Sequence, residues 1–309
     1  MDLHTRSLRS FATVAEVGNI SHAAVRLSLS QPALSRLIAK LEDDLGAVLF
    51  DRDSKGVSLT TAGERTLTHA RKLLDGLDAL DDDLRSFEGR IQGKVCDAMP
   101  DATGHTLFLP LLDRMKQSHP EIEVRVMGAH PNNVPLALSA GDGDVGIISS
   151  AHNRGGYTLT PFVVEELHLI SPSEPGGGGL GPDISLDLVR ELPLALPAIS
   201  PGLRQLIDRS FAQRGVRPTV VYQVDSQDAL LELVQERRAH SIMAYAGVHR
   251  LVDRKMLTAR RIVEPTIERA LSLAAPANRS MTAPIRTVMD ELRTLATELA
   301  PVAGWTVVE

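Results

Sequence analysis

The chain has 309 residues, 43% of them hydrophobic, and a formal net charge of -6. That size supports two or three domains with real cores. Its one cysteine, Cys96, excludes a disulfide framework or a thiolate metal cluster and reads as a small buried hydrophobe. The apolar runs are too short to span a bilayer, and the opening Met1-Asp2-Leu3-His4-Thr5-Arg6 lacks a signal-peptide layout, so a cytoplasmic protein without membrane contact is expected. Basic and acidic side chains balance over residues 1–61, so only clustering of bases on one face could make a nucleic-acid surface there.

Leu8, Phe11, Val14, Ala15 and Val17 recur at helical spacing, and Gly18-Asn19 stops that first helix. Ser21 is the expected N-cap of a second helix, whose Ala23-Ala24 pair allows close helix approach. After a turn at Leu29-Ser30, Gln31-Pro32 opens a third helix, with Pro32 where a missing N–H costs nothing. Leu34, Ile38, Leu41 and Leu45 form its inner stripe up to Gly46, leaving Gln31, Ala33, Ser35, Arg36 and Lys40 on the open side. Helix, turn and helix with Gln, Ser and Arg facing outward is the arrangement that places a recognition helix in the major groove. There Gln pairs with adenine and Arg with guanine. Val48 to Thr60 alternates like two short strands around a turn, a wing bearing Arg52 and Lys55. Ser30, Gln31, Pro32, Ser35, Arg36, Lys40, Arg52 and Lys55 are the candidate DNA-contacting residues.

Within residues 8–63, Phe11, Ala15-Glu16, Gly18, Ala23-Ala24, Leu27, Ser30-Gln31-Pro32-Ala33-Leu34-Ser35, Ile38, Leu41-Glu42, Leu45-Gly46, Leu49-Phe50, Arg52, Leu59-Thr60 and Ala62-Gly63 resemble the N-terminal domain of the LysR-type transcriptional regulators. Ile20 stands where that family more usually has an aromatic. The resemblance implies an N-terminal all-α winged helix-turn-helix (1–62), a linker dimerisation helix (63–92) and an α/β, two-lobed, periplasmic-binding-protein-like effector domain (93–309). Its lobe I would take residues 93–163 and 268–309, and its lobe II 164–267. It further implies double-stranded DNA, a second copy of the chain in a homodimer or dimer of dimers, a small-molecule co-inducer and RNA polymerase as partners.

Between Thr61 and Ile91, Thr66, Ala70, Leu73, Leu77, Leu80, Leu84, Phe87 and Ile91 repeat at alternating spacings of four and three, a coiled-coil seam. Beyond Gly93 strands are expected at Val95–Met99, Glu123–Gly128, Asp144–Ile148, Leu167–Ser171, Leu194–Leu196, Val220–Val224, Ser241–Ala244 and Ala270–Ala274. Helices are expected near 105–118, 133–140, 202–214, 227–237 and 282–299, giving an α/β domain with mainly parallel sheets.

Pro110-Leu111-Leu112, His119-Pro120-Glu121-Ile122, Gly143-Asp144-Val145-Gly146-Ile147 and Gly202-Leu203-Arg204 resemble landmarks of the same family's effector domain. By that resemblance the loop Pro100-Asp101-Ala102-Thr103-Gly104 faces the cleft at a helix N-terminus. Ala102 replaces a frequent Ser or Thr, Ala239 a Gly and Ala244 a Pro, and Pro201 lies near where some relatives have His; together they suggest a remodelled pocket. Asp101, Thr103, Ser149, Arg204 and Asp225 are the candidate effector-binding residues, with Arg204 expected to hold a ligand anion.

Gly176 to Gly181 formally satisfies a dinucleotide-binding glycine pattern, but Pro182-Asp183 follows it instead of a helix start, and it reads as a flexible surface loop. No triad, metal set or activated nucleophile can be assembled, so no enzyme and no cofactor is expected. A solute-binding protein would account for the C-terminal portion alone. The helix-turn-helix, the heptads and the absent export layout argue against it.

Overall fold

The computed structural model describes residues 4–53, 56–86, 91–149, 155–173, 179–198 and 202–308. It divides into one unit of residues 1–89 with 278–282 and another of 90–277 with 283–309.

In the first unit, α1 (Thr5–Val17) ends on Gly18, which adopts φ 66°, a conformation open to residues without Cβ. α2 (Ile20–Arg26) is capped by Asn19, not by the expected Ser21. The Asn19 side chain accepts from the N–H of His22, so Ser21 falls inside the first turn. α3 (Gln31–Leu45) carries Pro32 in its first turn, and Ser30 Oγ accepts from the Ala33 N–H. β1 (Phe50–Asp53) and β2 (Gly56–Leu59) pair antiparallel as the wing, and α4 (Thr61–Ser86) follows. Phe11, Val14, Ala23, Ala24, Leu34, Ile38, Leu41 and Leu49 form the buried core, with the rings of Phe11 and Phe50 at 5.2 Å. Ala23 and Ala24 are buried because α2 lies close against its neighbours, as the small pair predicts.

α4 begins at Thr61, where the helical stretch was expected to begin, and its first half packs into this core through Ala70 and Leu74. Leu73, Leu77, Leu80 and Leu84 of the expected seam are 43–60% exposed. Phe87 lies outside the described residues, and Ile91 comes after the helix ends.

The second unit contains β3 (Gly93–Pro100), α5 (Asp101–Ser118), β4 (Ile122–Ala129), α6 (Val134–Ala140), β5 (Val145–Ser149) and the long β6 (Tyr157–Pro172). Then come β7 (Gly179–Leu180), β8 (Ile184–Ser185), α7 (Leu186–Val189), β9 (Leu194–Leu196), α8 (Leu203–Gln213), β10 (Val220–Gln223), α9 (Gln227–Gln235), β11 (Ser241–Ala244), α10 (His249–Asp253), β12 (Leu257–Val263), β13 (Glu268–Pro276), α11 (Ala283–Ala303) and β14 (Trp305–Val307). Gly179 and Leu180, expected in a loop, pair with β12; residues 176–178 lie outside the described residues.

β6 organises both lobes. Residues up to Glu166 pair with β13 and β14, and from Leu167 onward β11 and β12 take over. In lobe I, β3 runs parallel to β4 and β5. The expectation of mainly parallel sheets is corrected here: β6 is antiparallel to β11, β12, β13 and β14, and β13 to β5. The chain crosses from lobe I to lobe II along β6 and returns toward β13, so the crossing strands must run in opposite directions.

Lobe II buries both faces of β9 and β11. Leu194, Leu196, Ile242 and Ala244 join one cluster with Ile207 and Phe211 of α8. Ala195 and Met243 join the other with Leu230 and Val234 of α9. This double covering explains why these strands read as continuous apolar runs. Cys96, expected to be buried, is only half-buried on β3, and its thiol is raised chiefly by that burial.

Candidate functional site

The N-terminal half of α3 builds the DNA-facing candidate. Leu34, Ile38 and Leu41 anchor its inner face, which leaves Gln31, Pro32, Arg36 and Lys40 exposed and Ser35 half-buried. Gln31 Nε2 donates to Ser35 Oγ at 3.2 Å, so two predicted base-reading groups lie side by side on one face. Ser30 is occupied as the N-cap. The helix N-terminus adds its own partial positive charge to the same end, which suits a phosphate. Arg52 stands on β1 opposite Val57, while Lys55 lies outside the described residues. The wing root is tied down by the Val57 N–H donating to Gly18 O at 3.0 Å and by Thr60 Oγ1 donating to Val48 O at 2.7 Å.

A second site lies between the lobes of the other unit. A cavity of about 90 Å³ is lined from lobe I by Pro100, Asp101, Ala102, His130, Pro131 and Asn132. Lobe II contributes Pro197, Leu203, Arg204, Asp225, Gln227, Leu230, Ile242, Met243 and Ala244, and Arg269 comes from β13. Of the predicted effector residues, Asp101, Arg204 and Asp225 meet here. Thr103 and Ser149 are not among the lining residues. Thr103 is buried with its hydroxyl unpartnered, and Ser149 is buried at the end of β5. Pro201 lies outside the described residues.

Arg204 is 6% exposed. Its Nε donates to both carboxylate oxygens of Asp208, at 3.0 and 3.1 Å, and its Nη1 to Pro197 O at 2.7 Å. It is therefore a clamped guanidinium whose orientation is preset. Asp225 Oδ1 accepts from the Ala198 N–H at 2.9 Å, tying the segment before α9 to the end of β9.

Arg269, which sequence reasoning missed, donates through Nε to Glu165 at 2.7 Å and pairs with it again through Nη2. Trp305 Nε1 also donates to Glu165, at 3.3 Å. This buried ion pair lies where β6 and β13 pass between lobes, and a lone buried carboxylate there would be costly. No local signal marks it, because its partners are distant in the chain. Nearby, the His168 ring packs on Tyr245 at 5.4 Å, and burial lowers the His168 pKa. Among the described residues no cluster of side chains could hold a metal ion, and no helix is long and apolar enough to cross a membrane.

Residues 5–64 match the model of the bacterial regulatory helix-turn-helix protein, lysR family, and residues 88–297 match that of the LysR substrate binding domain. The nitrogen assimilation regulatory protein nac of Klebsiella aerogenes is 24% identical over 294 residues, covering 95% of each chain. The HTH-type transcriptional regulator IlvR of Caulobacter vibrioides is 29% identical over 234 residues, covering 74% of this chain and 78% of the relative. Among solved structures, a full-length OxyR variant from Pseudomonas aeruginosa superposes with TM-score 0.76 at 20% identity, covering 100% of this chain and 99% of the other. Full-length CbnR complexed with its target DNA superposes with TM-score 0.66 at 26% identity, covering 95% and 100%. With one family model on the DNA-reading unit and the other across most of the remainder, the chain is a LysR-type transcriptional regulator with a helix-turn-helix DNA-binding domain and a two-lobed substrate-binding domain.

Proposed function

We propose that this regulator reads double-stranded DNA through Gln31, Ser35, Arg36, Lys40 and the wing, and that a small-molecule effector held between the lobes controls it. The observation that carries the effector reading is the cavity where Asp101, Arg204 and Asp225 converge beside the two crossing strands. A ligand contacting both lobes there favours one lobe arrangement over another, which is the differential interaction that any ligand-driven switch requires. The clamped Arg204 is the natural holder of a ligand anion, with Asp225 and His130 available to its polar groups.

The exposed leucines of α4 support a homodimer paired along that helix, setting two reading heads at half-site spacing. Assembly to a dimer of dimers, contact with RNA polymerase and a cytoplasmic location follow from the family reading. A metabolite screen by calorimetry tests the site: Arg204→Ala is expected to weaken effector binding at least about tenfold, by loss of a charge-assisted contact. Unchanged affinity in that variant, or identical DNA footprints with and without saturating effector, would contradict the reading.

A further inference from the structure

Leu41-Glu42 belongs to the motif that marks the recognition helix, yet Glu42 has no part in the DNA-contacting set. Its side chain reaches away along the chain. Glu42 Oε1 accepts from the backbone N–H of Leu49 at 2.8 Å and of Phe50 at 3.2 Å, both in buried residues at the root of the wing. Its own carbonyl accepts from the Ala47 N–H at 3.1 Å, closing the C-terminus of α3 around Gly46. One residue thus finishes the recognition helix and starts the wing. Buried backbone N–H groups need an acceptor, and without Glu42 these two would have to shift to find another. Other ties of the wing root run elsewhere: Val57 to Gly18 at the end of α1, and Thr60 to Val48 and Leu49 at the start of α4. Glu42 thus supplies side-chain hydrogen bonds that tie the first wing strand to the recognition helix.

We propose that Glu42 is a positioning residue for DNA recognition, setting the wing at a fixed attitude to α3 so that Arg52 and the base-reading face of α3 engage one duplex together. This inference rests on the reading of the wing as a DNA-contacting element, and the experiment separates the two. The probe is a duplex selected from random-sequence DNA by the full-length wild-type protein, with binding followed against salt for wild type, Arg52→Ala, Glu42→Ala, Glu42→Asp and Glu42→Gln. Each phosphate contact contributes about one to the slope of log affinity against log salt. Arg52→Ala is expected to make the slope shallower by about one. If it does not, or if the wild type selects no duplex, the wing reading fails and the inference falls with it.

Given that shift, Glu42→Ala is expected to bind at least about tenfold more weakly with the same shallower slope, and adding Arg52→Ala to it to flatten the slope no further. Glu42→Gln keeps an acceptor at the same reach and is expected to stay within about threefold of wild type with the full slope. Glu42→Asp, too short to reach both amides, is expected to follow Glu42→Ala, and decides the matter should the alanine variant fail to fold. A weakened alanine or aspartate variant with the wild-type slope would mean only a smaller folded fraction and would overturn the proposal. So would a glutamine variant that behaves like alanine.

Discussion

Asp97 is a buried acid held without a partner among the described residues. It sits on β3 between Val126 and Val145 of the neighbouring strands, fully buried, and neither carboxylate oxygen has a hydrogen-bond partner. Burial pushes its pKa up to about 8, so the native state holds a proton that the unfolded chain gives up in the usual carboxylate range. The sign follows: the contribution is full at low pH and is lost as pH rises toward 8, by an amount on the order of 5 kcal/mol. Urea unfolding should therefore show a lower midpoint at about pH 8.5 than at about pH 5, and Asp97→Asn should abolish most of that difference. An equal pH dependence in the variant would contradict this account. Gly63 makes a different demand, because a Cβ there would meet Leu49 O at 2.1 Å. Gly63→Ala should cost about 1–3 kcal/mol in the same assay. Residue roles were legible where the chemistry is local, as with Gly18 as a stop and Pro32 in a first turn; residues 101–104, expected as a loop before a helix near 105, instead form the first turn of α5. Roles were not legible where partners are remote in sequence, as with Arg269 and Glu165, or where two neighbouring residues compete for one cap, as with Asn19 and Ser21.

At the scale of elements, α4 presents Leu73, Leu77, Leu80 and Leu84 about half exposed. A spaced apolar stripe of this kind is favourable only when paired. Leu77→Asp with Leu80→Asp is expected to convert a dimer to monomers in sedimentation velocity, with helicity retained. Leu188→Asp, on the exposed side of α7, should leave the assembly unchanged. The apolar stripe itself was readable because a long helix repeats its pattern many times, although Ala70, assigned to it from the sequence, packs into the core of its own unit. β9 and β11 were read with their observed ends because both faces are buried and the apolar run is unbroken. The first half of β6 was missed because Thr158, Thr160, Glu165 and Glu166 break the apolar pattern and Pro161 argues against a strand. In the structure Pro161 sits beside a shift in register against β13, where Val163 faces Leu271 and Pro161 faces Ser272, so a bulge accommodates it.

For the molecule as a whole, composition alone pointed away from nucleic acid, since net charge is -6. What matters instead is that a few polar and basic groups gather on one face of one helix, a property of helical phase that net charge averages away. The measurement that tests this most directly is a salt titration of binding to a selected operator and to random DNA. It compares the wild-type protein with Arg36→Ala and with the Gln31→Ala/Ser35→Ala double variant. The account predicts a steep salt dependence for wild type, loss of about 1–3 kcal/mol of discrimination between the two DNAs in each variant, and unchanged dimerisation. Variants that discriminate as well as wild type would contradict the assignment of α3 as the reading helix.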